Sequence, residues 1–436
     1  MSTDQLITLG VLAAVIAALI WDRVRSDVVA LTGAAVLLMT GVVRPVELQG
    51  AFASPAIMAL ASLFVITYAM ELSGLLDAAI RGVTALCRRI GKAGLWVMIW
   101  LSGMASAFLN NTPIVVLAAP VVRDVSRSLG LSPKRFLIPL SYAAVLGGCC
   151  TLIGTSTNLL VSDMAAISGQ PRFGIFEITP VGVIVAITGG LYLLMFTHRL
   201  VPSDVEDSAT PAEEPSVGDP GLAGGQLGSP QSFAREVAFR PLAAFASATV
   251  FVAVVALAAL DVAPIAACAF AGAVLLILLR VITPDEAYSG LRPDVLMLIA
   301  GMVVLGIALD VTGLAGEFTH GLIGSLDGLN PFLALVIIYG ATLFATELLS
   351  NATVAVLFTP IAVALGEALG VSPRPFLVAV MIAGSAAFAT PFGYQTNVLV
   401  YQMGGYNYMD FVKIGIPLNL LTWVAGVAAI LVWFPF

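Results

Sequence analysis

The chain has 436 residues, 59% of them hydrophobic and only 10% charged. Soluble domains carry about 25% charged residues, so this composition excludes an ordinary soluble protein and describes one that crosses a membrane many times. The formal net charge of −7 arises in one segment, since residues 203–219 hold Asp204, Glu206, Asp207, Glu213, Glu214 and Asp219 and no base, which leaves no basis for nucleic-acid binding.

A helix needs about 20 apolar residues to cross roughly 30 Å of hydrocarbon. Residues 3–21 form the first such stretch. It lacks the basic start and small-residue cleavage site of a signal peptide and reads as a retained helix. Further apolar segments fall near 27–43, 55–77, 93–122, 136–168 and 176–200. Residues 202–238 are rich in Pro, Gly, Ser, Asp and Glu and read as a disordered acidic linker. Apolar segments resume near 241–259, 263–281, 294–312, 331–366, 375–404 and 412–434.

The second series repeats the first. At an offset of 239, Asp22 aligns with Asp261, Pro45 with Pro284 and Gly74-Leu75 with Gly313-Leu314. At 240, Asn111 aligns with Asn351, Pro120 with Pro360 and Ser132-Pro133 with Ser372-Pro373. The offset then returns to 239, where Thr151–Asn158 meets Thr390–Asn397. This is an internal duplication, with one half in 1–201 and the other in 239–436.

Two long segments have a polar middle. Each is either two full spans or one re-entrant hairpin. Read as hairpins, they cover 93–126 and 331–369, and the segments 134–168 and 374–404 are helices broken near their centres. Each half then has five spans plus one hairpin, and an odd number turns the second half upside down. The expected fold is thus an all-α polytopic membrane protein built as an inverted repeat. With residue 1 outside, 16 of the 19 basic residues fall inside, and only Arg44, Arg172 and Arg374 fall outside. That is the bias of the positive-inside rule. The linker 202–238 is expected in the cytoplasm and both termini outside, in the plasma (inner) membrane.

The polar residues gather at two tips and two breaks. The tips hold Ser106, Asn110, Asn111 and Thr112, and Thr346, Ser350, Asn351, Ala352 and Thr353. The breaks are Gly154-Thr155-Ser156-Thr157-Asn158 and Pro391–Asn397, which includes Gly393. Irregular backbone at membrane depth survives only where protein or a water-filled cavity satisfies it. Helix-start N–H groups favour anions and free carbonyls favour cations. Such tips can hold an anion beside a coupling cation, whereas plain helix glue is the blander use of Asn and Thr. Ser106 and Thr346 stand four residues before Asn110 and Ser350, a spacing that shares one helix face and could supply oxygens to a hard cation. Glu347, whose counterpart is Ala107, is an acid inside an apolar arm and a candidate proton site or cation partner. Cys87, Cys149, Cys150 and Cys268 lack metal-ligand spacing. No nucleophile–base pair, Walker loop or dinucleotide fingerprint is visible, so an enzyme or an ATP-driven pump has no support.

Asn110-Asn111-Thr112 and Ser350-Asn351-Ala352 resemble the paired Ser-Asn-Thr signatures of the divalent anion/sodium symporter (SLC13-type) family, within the ion transporter superfamily. Leu109–Pro120, Ser132–Tyr142, Thr151–Asn158 and Ala389–Asn397 resemble its permease branch of sulfate or citrate-like transporters. The resemblance implies an elevator-type carrier, usually a homodimer, that moves a small anionic substrate with sodium and needs no cofactor. It also implies site residues. Ser106, Asn110, Asn111, Gly154 and Asn158 would serve one sodium site, and Thr346, Ser350, Asn351, Ala389, Pro391 and Asn397 the other. Asn111, Thr112, Thr155, Ser156, Asn351, Ala352, Thr353 and Gly393 would meet the anion. Asn110 departs from the first signature and Ala352 from the second, where the lost hydroxyl favours a compact oxyanion such as sulfate over a dicarboxylate. The family's eleventh, N-terminal helix and the regulatory domains between the halves are also missing from the pattern. The rival readings are a uniporter or channel-like permease for another small anion or arsenite, a proton-coupled carrier using Glu347, and a non-transporting sensor.

Overall fold

The protein is described by a computed structural model over residues 2–21, 24–200, 239–260, 262–314, 330–391 and 393–436. The acidic linker 202–238, His320 and the aligned pair Asp22 and Asp261 lie outside these residues. All regular elements among the described residues are helices. The first half runs α1 (Thr3–Trp21), α2 (Ser26–Met39), α3 (Pro45–Phe52), α4 (Pro55–Leu72), α5 (Leu75–Ile90), α6 (Lys92–Ser106), α7 (Asn111–Ser128), α8 (Lys134–Gly148), α9 (Ser156–Ile167) and α10 (Thr179–Leu200). The second runs α11 (Pro241–Ala259), α12 (Ile265–Leu278), α13 (Pro284–Gly290), α14 (Pro293–Val311), α15 (Pro331–Ala345), α16 (Asn351–Ala368), α17 (Arg374–Gly384), α18 (Gln395–Gly404) and α19 (Tyr408–Trp433). Apart from α5, every helix of the first half has a described counterpart, in the same order. Residues 315–329, where a counterpart of α5 would fall, are not among the described ones.

The two halves interlock reciprocally. Helix α2 packs on α14 and α4 on α12, so matching elements exchange partners. The same holds deeper in the molecule, where α7 packs on α18 and α16 on α9. Two groups result. One contains α1–α4 and α11–α14; the other contains α6–α10 and α15–α19. They meet where α4 and α14 touch α9. They also share an apolar cluster in which Leu109, Ile114 and Ile153 join Ile66, Phe251 and Leu276. The hydroxyl of Ser54, between α3 and α4, donates across this seam to the buried Asp163 of α9, which also pairs with Arg172 at 3.1 Å.

Tight backbone contact fixes the second group. A Cβ on Gly147 of α8 would fall 1.9 Å from the carbonyl oxygen of Gly103 in α6, so these two helices cross at backbone distance. Only glycine permits so close an approach. The ends of the molecule are marked by charge. Arg374 pairs with Glu177 and donates to the Pro171 carbonyl at 3.0 Å, which puts it at the same end as Arg172.

Among the described residues, six helical stretches are long and apolar enough to cross a membrane by length and composition: 45–72, 179–200, 241–259, 293–311, 351–368 and 408–433. Five others are apolar but shorter: 3–19, 26–39, 265–278, 331–345 and 374–384. The expected apolar segments are divided in two ways. The broken helices contribute two short pieces each. The segments 27–43 and 263–281 end early as α2 and α12, and α3 and α13 follow as separate short helices opened by Pro45 and Pro284. Helix α5 was not anticipated. It is strongly amphipathic and joins α4 to the first hairpin.

Candidate functional site at the two tips

Each tip forms because a polar side chain ends one helix and starts the next. Helix α6 stops at Ser106, and the backbone of Asn110 is extended (φ −57°, ψ 138°) while its side chain accepts from the Thr112 amide at 3.5 Å. Helix α15 stops at Ala345, and Ser350 (φ −64°, ψ 145°) accepts from the Thr353 amide at 3.2 Å and bonds the Thr353 hydroxyl at 2.7 Å. These are ordinary N-caps, worth about 1 kcal/mol each. Here they also turn the chain back, so the segments 93–126 and 331–369 are helix–turn–helix pairs. In the first broken helix Thr155 caps α9 by accepting from the Thr157 amide at 3.4 Å. In the second, α18 starts after Tyr394, whose backbone is extended.

Each break is bonded to the tip of its own half, and the bonds repeat. The Thr151 hydroxyl donates to the Ala107 carbonyl, and the Thr390 hydroxyl donates to the Glu347 carbonyl at 3.1 Å. The Asn158 amide donates to the Thr151 carbonyl at 2.9 Å, and the Asn397 amide to the Thr390 carbonyl at 3.2 Å. Gly154 lies so near that a Cβ would meet the Ala107 carbonyl oxygen at 2.9 Å.

The amino termini of α7, α9, α16 and α18 converge on one cavity of about 420 Å³. The first tip lends it Asn110 and Thr112, and the first break Thr155, Ser156 and Thr157. The second tip lends Glu347, Ser350, Asn351 and Ala352, and the second break Gly393, Tyr394 and Gln395. From the tips the cavity runs to Arg25 and Asp27 before and in α2, and to Arg292 and Asp294 at the start of α14. Those residues pair as Arg25–Asp27 at 2.8 Å and Arg292–Asp294 at 3.3 Å.

Other expected residues lie behind this wall. Ser106, Asn111, Asn158, Thr346 and Asn397 are each no more than 1% exposed, and Thr353, Ala389 and Pro391 are also buried. Ser106 and Asn110, and likewise Thr346 and Ser350, do not share the face of one helix. Both helices have ended by then, so the four-residue spacing no longer sets a shared face. The Ser106 hydroxyl instead donates to Asn111 Oδ1, and the Thr346 hydroxyl to Asn351 Oδ1 at 2.9 Å and to the Gly384 carbonyl at 2.8 Å.

Glu347 is 8% exposed and fully bonded. Its Oε1 accepts from the amides of Phe388 and Ala389 and from Asn419 Nδ2, all at 2.7 Å, and its Oε2 from the amide of Thr390 at 2.9 Å. Four N–H donors and no acceptor suit a carboxylate anion. Sequence reasoning missed Asn419 because nothing local distinguishes it in α19. It also missed Tyr394 and Gln395 as site residues, although both break the repeat. Two buried oxygens at the breaks, Asn158 Oδ1 and Ser385 Oγ, have no partner. Such groups cost about 1–3 kcal/mol each when left unpaired.

A family model described as citrate transporter (CitMHS) matches residues 16–370 and 348–435. An uncharacterized transporter of Synechocystis sp. is 26% identical over 96% of this chain and 95% of its own length. Sodium/sulfate cotransporter 1 of Chlamydomonas reinhardtii is 36% identical over 36% of this chain and 18% of its own. Among solved structures, the YdaH transporter of Alcanivorax borkumensis superposes with a TM-score of 0.59 at 15% identity, over 89% of this chain and 88% of that one.

Proposed function

The chain belongs to the CitMHS family of citrate transporters, and from that membership we propose a secondary active carrier, rather than an enzyme, that moves a small divalent anion with sodium. One observation carries the anion: four helix amino termini point at one cavity. Each offers unpaired N–H groups and the positive end of a helix dipole, worth about 0.3–1 kcal/mol per exposed terminus and up to about 2 kcal/mol when partly buried. An anion is thereby held without a lysine or arginine at the tips. Sulfate is the first candidate, because a relative of matching sequence is named a sodium/sulfate cotransporter.

The partnerless oxygens support the cation. Asn158 Oδ1 with the carbonyls of the first break, and Ser385 Oγ with those of the second, are hard oxygen donors of the kind sodium takes. Glu347 supplies fixed negative charge beside the second set and holds the 388–390 backbone in place. Because both its oxygens accept from N–H donors, a stationary carboxylate suits it better than a proton carrier.

The reciprocal packing of the halves fits an inverted repeat. In this reading α1–α4 and α11–α14 form a scaffold, and the tips and breaks travel against it in a homodimer. With Arg25 and Arg292 on the cytoplasmic side, where the charge bias puts them, the path from the tips to these residues fits a form open to the cytoplasm. The test is uptake of labelled sulfate and labelled succinate into proteoliposomes with and without an inward sodium gradient. Sodium-driven accumulation of either supports the carrier; equilibration indifferent to sodium and to a proton gradient points to a uniporter.

A further inference from the structure

We propose that Tyr394 and Gln395 are the specificity filter of this cavity, closing one half of it so that it takes a compact single-centre oxyanion and rejects di- and tricarboxylates; this rests on the anion-carrier reading above. The repeat sets Tyr394 against Thr155 and Gln395 against Ser156, the last residue before each short helix and its first residue. At these two positions the duplicated site loses its symmetry, with a phenol in place of the Thr155 hydroxyl and a long amide in place of the Ser156 hydroxyl.

The extra bulk crosses to the other half. The Tyr394 hydroxyl accepts from Asn111 Nδ2 at 2.6 Å and hydrogen-bonds Thr155 as well. Gln395 Oε1 accepts from the Thr112 hydroxyl at 3.3 Å. Two polar side chains of the first tip, Asn111 and Thr112, are thereby tied to the second break. The opposite wall is built from small side chains, because Thr155 and Ser156 line the cavity with Asn351 and Ala352. A dicarboxylate needs room for its carbon chain as well as donors at both of its ends, and the Tyr394 and Gln395 side chains take up that room beside the first tip. An oxyanion whose oxygens diverge from one atom is satisfied at the open end alone.

The test uses purified full-length protein in detergent with sodium present, titrated with sulfate, succinate and citrate, and read by thermal stabilisation and by uptake after reconstitution. The variants are the double substitution Tyr394→Thr with Gln395→Ser, which installs the first half's residues, and Tyr394→Phe, which keeps the ring. Wild type is expected to be stabilised by sulfate at concentrations where succinate and citrate do nothing. The double variant is expected to shift its preference towards succinate by about tenfold or more, in line with the leverage of pocket shape on selectivity. Tyr394→Phe is expected to go on rejecting succinate, since the ring still fills the space. Should the double variant not fold, Gln395→Ser alone is expected to show a smaller shift in the same direction, and an absent shift overturns the filter. Equal binding of sulfate and succinate by wild type, an unchanged preference in the double variant, or full succinate binding by Tyr394→Phe also overturns it while leaving anion transport standing. A wild type that binds and transports no anion overturns the carrier reading itself, and the filter with it.

Discussion

The side-chain amide of Asn111 donates to the phenol oxygen of Tyr394 at 2.6 Å, across 283 positions of sequence. With the Ser106 hydroxyl on its Oδ1, Asn111 is held at both ends of its amide. Asn111→Ala would leave the buried Ser106 hydroxyl without its partner, at about 1–3 kcal/mol, and Tyr394 with Thr155 alone. Asn351→Ala leaves Thr346 with the Gly384 carbonyl and costs less. Both variants are expected to lose sodium-driven uptake, and melting curves in detergent are expected to fall further for Asn111→Ala. Wild-type uptake by both variants would show that the site is elsewhere.

Glu347→Gln turns one carboxylate oxygen into an NH2 group facing backbone N–H donors. Donor then meets donor at the 388–390 break, and the cost is expected to exceed that of an ordinary lost hydrogen bond. Uptake should fall to background while the protein still inserts and purifies. A proton carrier predicts something else: uptake driven by a proton gradient in wild type and retained, but uncoupled, in Glu347→Gln. Comparing sodium and proton gradients on both proteins decides it.

Gly148 ends α8 against the first tip. A Cβ there would lie 2.7 Å from Asn111 Oδ1, and Asn111 cannot give way without breaking its two bonds. Gly148→Ala is expected to reduce uptake by about tenfold or more, since small misplacements of site groups have effects of that order. Gly384→Ala is the control: its nearest contacts would be 3.6 and 3.7 Å away, and uptake should be unchanged.

Arg25 and Arg292 stand where the cavity meets its mouth, each beside a carboxylate two residues on. Replacing both by Gln leaves Asp27 and Asp294 uncompensated, so an approaching anion meets repulsion. KM for the anion is expected to rise roughly two- to tenfold at low ionic strength, and the difference should shrink as salt screens the mouth. Asp27→Asn is expected to act in the opposite sense. An identical salt dependence in all variants would place the access route elsewhere.

The all-helical membrane fold, and the points where its long apolar segments turn or break, were legible in the sequence because they rest on local signals: capping residues between apolar arms, and Gly or Pro inside a long apolar run. Helix α5 was hidden by the apolar window, which registers spans and passes over an amphipathic stretch carrying Arg81, Arg88 and Arg89. The bonds of Ser106 to Asn111 and of Thr346 to Asn351 were not legible, because the four-residue spacing assumes a helix that has already stopped. Glu347 stood out as an acid in an apolar arm, yet its partners lie at 388–390 and 419, far beyond any local pattern. Tyr394 was visible only as a mismatch between repeats, and the mismatch gains meaning only when Asn111 is seen opposite.

Glu347 also has an electrical consequence. Its carboxylate is tied to the second hairpin and the second break, so any displacement of that unit along the membrane normal moves a negative charge through the transmembrane field. A full crossing is worth about 2.3 kcal/mol per elementary charge per 100 mV, and a partial one a proportionate share. In the proposed carrier, cations bound beside it would cancel that charge and the anion would add to it. Voltage would then pull differently on the empty and the loaded unit, and the resting potential would help to set the side on which the empty one waits.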